Sequence, residues 1–371
     1  MCSWLTLAEM HRRIVVVTGA NRGIGYATAA RLAAEGHQVV LACRNEERGA
    51  EAASRITAAS PKAPTPAVVP FDLRDEMTTN AGAATVVRQF GYVDAVIHNA
   101  WCGQAEVSAI CGGNPAETRA VMVRTNVLGT LAAAEVYAPL LESLPVDSSS
   151  VDSMELVARR RAALAGCIPA REVFLASRFG TPSMIGLRVT HAVLTSSELE
   201  MTGLRAAAEV YCSVAGDPAA INARGYPADP TATAKILVGA MARGRSTAFK
   251  SKLLPPVTPT ASRTAGRKLP GMEQPPRPQM LRPVNCVLCC PGWCRTDLGG
   301  AKAPRTTEDG ADTPVWLATS TEAEGFSGEF FCERTPTEWV GQSKQGRGGR
   351  MLPDPRYTFQ SVRPYRGPHS S

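Results

Sequence analysis

The stretch Val15–Gly25, VVVTGANRGIG, constrains this chain more than any other. A β-branched run, Ile14–Val17, leads into Gly19, Gly23 and Gly25, and an Ala-rich helical segment, Tyr26–Glu35, follows. Glycine allows a tight turn and a close backbone approach, and the helix after it aims its N-terminus at the same point. That arrangement cradles a pyrophosphate. Glycine spacing alone is weak evidence. The strand before, the helix after and a second strand-like run at Gln38–Cys43 make dinucleotide binding the reading here.

The alternation continues for about 145 residues. Glu46–Ala59 is helical, Ala67–Phe71 and Ala95–His98 are short buried strands, and Ala116–Leu144 holds a long helix. Repeated β-α units call for a parallel sheet with helices on both faces. Residues 146–186 then break the rhythm with a polar stretch and the arginines Arg159–Arg161. Strand returns at Arg188–Thr195, helix at Thr231–Met241, and strands at Pro283–Cys290 and Gly328–Cys332. Residues 243–282 are basic and Pro-rich and read as a disordered surface insertion. From Gly341 the chain reads as a flexible basic tail, 341–371.

Charge and cysteine content narrow the class. The net charge of +7 sits in the appendages: 243–282 carries nine Lys/Arg against Glu273 alone, and 341–371 carries six against Asp354. Those runs lack interleaved aromatics outside Tyr357, Phe359 and Tyr365, so a nucleic-acid role ranks last. No apolar run approaches the roughly 20 residues of a membrane span. MCSWLTLAEMHRR has its charges after its apolar part, the wrong order for a signal peptide. Of 11 cysteines, Cys43, Cys286, Cys289 and Cys290 lie in strand-like runs, where the thiol acts as a small hydrophobe. Cys286-x-x-Cys289 has half a zinc-site spacing but no second pair follows, so no metal is expected. A reducing, cytoplasmic location fits.

The end of the second strand selects the dinucleotide. An acid there would bind a ribose 2′-hydroxyl, but the chain reads LACRN, with Arg44 in place of the acid and Arg22 inside the loop. Two guanidinium forks suit a 2′-phosphate, which points to NADPH.

With these residues in hand, the chain resembles the short-chain dehydrogenase/reductase family, and within it the monomeric NADPH carbonyl reductases. TGANRGIG is similar to the family's cofactor loop, which implies cofactor contacts at Gly19, Asn21, Arg22, Gly23, Ile24 and Gly25. FDL resembles its adenine-contacting turn, placing Asp72 and Leu73 there, and VIHNAW resembles the strand with Asn99. TNVLGT resembles the helix supplying an active-site Asn, here Asn126. VLTSS resembles the strand ending in the catalytic serine, Ser197 with Ser196 as alternate. CCPGWCRTDLGG followed by EDGADTPVWLA is the most specific match. It implies that Pro291, Gly292, Trp293 and Thr296 cover the nicotinamide. The resemblance implies a Rossmann-like, doubly wound, seven-stranded parallel sheet. It would be a single α/β domain, 12–340, with insertions at about 146–186 and 243–282. It also implies a monomer acting on a small-molecule carbonyl or quinone.

One expected residue is missing. The family places a Tyr and a Lys at i and i+4, on one helix face. GYPADPTATAK supplies Lys235 as both cofactor and catalytic lysine, but Thr231 stands at the Tyr position. An aliphatic hydroxyl is a far weaker acid than a phenol of pKa about 10. Tyr226 reaching inward from the preceding loop, or a water held by Thr231 and Lys235, are alternative proton routes. His191 reads as structural. Trp101, where the family has Gly, either crowds the cofactor ribose or turns outward. Three functions follow in order: a carbonyl reductase impaired at Thr231, an NADPH-binding pseudoenzyme acting as sensor or scaffold, and binding of nucleic acid or an acidic partner.

Overall fold

Strand order in the sheet follows from the apolar runs and the crossovers between them. The computed structural model describes residues 12–142, 169–177, 201–253 and 282–337. Its eight strands are β1 (Ile14–Thr18), β2 (Gln38–Cys43), β3 (Ala67–Pro70), β4 (Ala95–His98), β5 (Ala170–Leu175), β6 (Val284–Cys290), β7 (Phe330–Cys332) and β8 (Thr335–Thr337), in the order β3-β2-β1-β4-β5-β6-β7-β8. Seven are parallel. The eighth, antiparallel to β7, is one more than the sequence suggested, because a two-residue turn folds the chain back at once. Pro336 of β8 lies opposite Phe331.

The described helices are α1 (Gly23–Ala34), α2 (Glu46–Ala59), α3 (Glu76–Phe90), α4 (Gln104–Ile110), α5 (Pro115–Val123), α6 (Thr130–Glu142), α7 (Met201–Ser213), α8 (Pro218–Ala223), α9 (Pro230–Leu253) and α10 (Thr307–Thr319). Two apolar layers sandwich the sheet. α1 and α10 cover one face with Leu32, Val315 and Leu317; α6 and α9 cover the other with Leu131, Tyr137 and Leu237. The long helix expected at 116–144 is α5 and α6 joined by a π-helical segment, Arg124–Gly129. Among the described residues no helix is long and apolar enough to cross a membrane.

Backbone approach at Gly82 shows how tightly α3 seats on the sheet edge. A Cβ there would stand 2.1 Å from the Pro70 carbonyl oxygen. Gly82→Ala is therefore expected to cost about 1–3 kcal/mol, read as a lowered urea midpoint at unchanged m-value.

Two boundaries differ from the sequence reading. The interval 146–186, read as an insertion, contains β5, which lies between β4 and β6 at the centre of the sheet. It carries Arg171 and Glu172, both fully buried, and charged residues disguise a buried strand. The strand expected at 188–195 lies outside the described residues. The interval 243–282 does not begin as surface coil: α9 runs on to Leu253, with Arg245 buried on it. At its other end Arg282 is buried against Asp94, 2.7 Å away.

The buried charges of β5 are met by backbone carbonyls on one face and by side chains on the other. Arg171 donates to the carbonyl oxygens of Ala323 (2.5 Å) and Ser320 (3.3 Å) on one face. On the other face Glu172 accepts from Arg245 at 2.6 Å, lies 3.2 Å from His98 Nε2 and 3.5 Å from Cys286 Sγ.

Candidate active site

Loops at the carboxyl ends of β1, β4, β5 and β6, together with the start of α9, build the site. This is where open α/β sheets bind ligands. The glycine loop is laced to the loop after β4. Thr18 Oγ1 accepts from the N–H groups of Asn99 and Ala100, both at 3.0 Å, and Asn99 Nδ2 donates to the carbonyls of Thr18 (2.9 Å) and Gly19 (3.2 Å). A Cβ at Gly25 would lie 2.4 Å from both Asn99 Nδ2 and the Gly19 oxygen, so only glycine fits. Gly19 and Gly23 are left-handed, φ 66° and 58°. α1 begins with no side chain capping its first turn and no acid within it.

Asn126, in the π-helical segment, is fully buried. Its Oδ1 accepts from Cys102 N (2.8 Å) and its Nδ2 donates to the oxygens of Cys102 (3.0 Å) and Met122 (3.1 Å). The side chain is thus fully engaged in holding the loop after β4.

That loop carries Trp101 onto Lys235. The Lys235 ammonium stands 3.6 Å from the centre of the Trp101 ring and donates to the Leu175 carbonyl at 3.3 Å. Burial pulls the Lys235 pKa down to about 8, against the opposing influence of Cys290 and then Cys289. Of the two orientations open to Trp101, the outward one is excluded: the ring packs against the core and over the lysine.

Thr231 lies in the first turn of α9, half-buried, on the face shared with Lys235 one turn on. Asp229 caps this helix, accepting from Thr231 N at 3.0 Å and Ala232 N at 3.3 Å. Pro230 and Asp229, with Gln104, Ser108, Thr118 and Arg119, line a cavity of about 490 Å³ beside this turn. Tyr226 does not reach inward. Its hydroxyl donates to Ala207 O at 3.0 Å, its ring packs edge-on to Tyr211 at 5.5 Å, and burial pushes its pKa up. Ser196, Ser197 and His191 lie outside the described residues. The strand beside β4 ends instead at Leu175, with Ser177 two residues on, a position the sequence reading missed. The signal available was the run VFLAS, an apolar strand ending in serine.

The two arginines expected at a 2′-phosphate are exposed and paired: Arg22 with Asp297 at 2.6 Å, Arg44 with Glu106 at 2.7 Å. Asp72 is bonded to Arg74, whose hydrogen bonds hold the carboxyl below its ordinary pKa although burial pushes it up. Leu73 packs at the core margin, its carbonyl where a Cβ of Gly129 would fall. After β6, Pro291–Gly300 folds back over the glycine loop. Gly292 is left-handed (φ 82°), Trp293 Nε1 donates to Gly299 O at 2.7 Å, and Thr296 Cγ2 lies 3.3 Å from where a Cβ of Gly23 would be.

Comparison with known proteins agrees with this geometry. The family model for short chain dehydrogenase matches residues 13–147. Carbonyl reductase 1 of Mus musculus, NADPH-dependent by name, is 27% identical over 333 residues, 88% of this chain and 99% of its own. The Homo sapiens protein of the same name is 27% identical over 332 residues, 88% and 98%. Among solved structures, salutaridine reductase from Papaver somniferum superposes with TM-score 0.61 at 20% identity, covering 86% of this chain and 99% of that one. Menthone neomenthol reductase from Mentha piperita gives 0.60 at 20%, covering 87% and 99%. The strand–glycine loop–helix unit, the parallel sheet and these relatives together make the chain similar to the short-chain dehydrogenases over residues 13–147, and to the carbonyl reductases over 88% of its length.

Proposed function

We propose that this chain, through a unit spanning residues 12–340, is an NADPH-dependent oxidoreductase of the carbonyl reductase type. It reduces ketone, aldehyde or quinone carbonyls, and Thr231 slows it. The observation that carries this reading is the placement of Lys235. Its ammonium sits at the end of β5, one helical turn from Thr231, among the loops that rim the glycine turn.

The residues suit the cofactor. The uncapped first turn of α1 leaves amide donors for a pyrophosphate. Arg22 and Arg44 would take the 2′-phosphate. Their present carboxylate partners, exposed Asp297 and half-buried Glu106, meet them at the surface, and such pairs are worth only about 0–1 kcal/mol, so exchange for a phosphate is easy. Asp72 and Leu73 would border the adenine, and Pro291–Thr296 the nicotinamide. Asn99 and Asn126 brace the loops, since their amides are already engaged. Reduced nicotinamide supplies the hydride when bound. Lys235 holds positive charge near the developing oxyanion, while Thr231 donates a hydrogen bond directly or through a water. Quinones suit this arrangement best, because their reduced oxygen is a phenolate and needs less simultaneous protonation. The test is steady-state NADPH oxidation with an activated o-quinone and an aliphatic ketone. Turnover of the quinone alone is expected; turnover of neither removes the reductase reading.

The position of Trp101 favours a second reading, NADPH binding without turnover, in which its ring keeps Lys235 from the cofactor. Cation–π contact is worth about 0.5–2 kcal/mol. Trp101→Gly is therefore expected to tighten NADPH binding by about 2- to 30-fold, measured by calorimetric titration. Unchanged affinity would place the indole outside the cofactor's path.

A further inference from the structure

Cys290 and Cys332 are the last residues of β6 and β7 and stand in register on these neighbouring parallel strands. In-register partners of a parallel pair share a face, and both pack into the apolar layer under α9. Adjacent strands run about 4.8 Å apart, within the roughly 4.4–6.8 Å between Cα atoms that a disulfide spans. Cys290 is half-buried and open to a small oxidant, and Cys332 is buried beside it. Cys289 faces the opposite layer. Cys290 lies close enough to the Lys235 ammonium for the two to interact electrostatically.

A second feature lies at the same place. The turn Glu333–Arg334 between β7 and β8 holds both residues in the left-handed region, φ 52° and 59°, where non-glycine residues are strained. Ion pairs keep it there. Arg334 forks Asp312 of α10 at 2.7 and 2.5 Å, and Glu333 pairs with Arg305. Arg305 is in turn bonded to the segment that follows Cys290. Its N–H donates to Trp293 O (3.2 Å) and its carbonyl accepts from Arg295 N (2.9 Å). Cys290 and Cys332 therefore stand at the two strand ends from which one linked unit of loop hangs.

We propose that Cys290 and Cys332 are an oxidisable pair that closes to a disulfide on exposure to a peroxide, joining β6 to β7 at the foot of the 291–305 segment. The Cys290 thiolate attacks one peroxide oxygen, the O–O bond breaks, and a sulfenic acid and one water form. The Cys332 sulfur then attacks the sulfenic sulfur, the S–S bond forms, and the second water leaves. Two thiols lose two hydrogens and two electrons, and hydrogen peroxide is reduced to two waters; a dithiol reverses the change.

The experiment treats the full chain with hydrogen peroxide, blocks remaining thiols with iodoacetamide and maps peptides without reduction. A linked pair of peptides bearing Cys290 and Cys332 is expected, with loss of two reactive thiols per chain, both restored by dithiothreitol. Cys332→Ser and Cys332→Ala should abolish the linked pair and leave Cys290 as a sulfenic acid trapped by dimedone, with thermal melting confirming that each variant is folded. Linkage of Cys290 to Cys294, or equal dimedone labelling of Cys290 in the native chain and both variants, would overturn the proposal. The readout is sulfur chemistry, so it stands or falls separately from turnover.

Discussion

Thr231→Tyr is expected to raise carbonyl reduction by NADPH about 10²–10⁴-fold, the usual worth of a positioned general acid. The substitution restores a phenol on the face of α9 that carries Lys235 one turn later, and the ammonium stabilises phenolate in the folded site. Aliphatic ketones should gain more than quinones, because protonation limits them more. If NADPH still binds to the variant and neither substrate turns over faster, Thr231 is not at the proton-donating position and the reductase reading loses its chemical basis.

The second large effect concerns stability. Arg245→Met strands the Glu172 carboxylate in the interior against His98 and Cys286. Removing one partner of a buried ion pair typically costs about 3–5 kcal/mol, here a fall of roughly 6–20 °C in Tm. In the native chain burial pushes the Glu172 pKa up, but the Arg245 charge and the His98 hydrogen bond outweigh it and hold the carboxyl below its ordinary value. Its stabilisation is therefore complete above the unfolded pKa of about 4.3 and is lost only as pH falls through the lower folded value. Without Arg245 the folded pKa rises above the unfolded one. Stability of the variant should then increase as pH falls from 7 towards 5, a range over which the native contribution of Glu172 is flat. Urea melts across that range decide it. The double variant Arg245→Met, Glu172→Leu should recover much of the loss and its pH dependence should flatten.

The same ion pair shows where sequence reading stops. β1, β2 and β4 were legible because uniform β-branched and apolar runs admit one interpretation, and the glycine loop was legible because Gly19 and Gly23 need left-handed backbone. β5 was not. Arg171 and Glu172 break its apolar pattern, and their partners lie far along the chain, at Ser320–Ala323 and Arg245. The extension of α9 to Leu253 was hidden for a related reason: Arg245 reads as part of a basic run until Glu172 is found beneath it. Within the candidate site, Lys235 and Asn126 were singled out by resemblance to family motifs, but the contact of Trp101 with Lys235 is purely tertiary.

β8 has a consequence for the company this sheet keeps. It is only three residues long, its middle residue is Pro336, and it runs against the grain of the other seven strands. Proline brings no amide hydrogen, and short strands make poor templates. An additional strand arriving at this margin would find little to pair with. Among the described residues the eighth strand is therefore a selvedge, a short and proline-bearing finish to the fabric of the sheet.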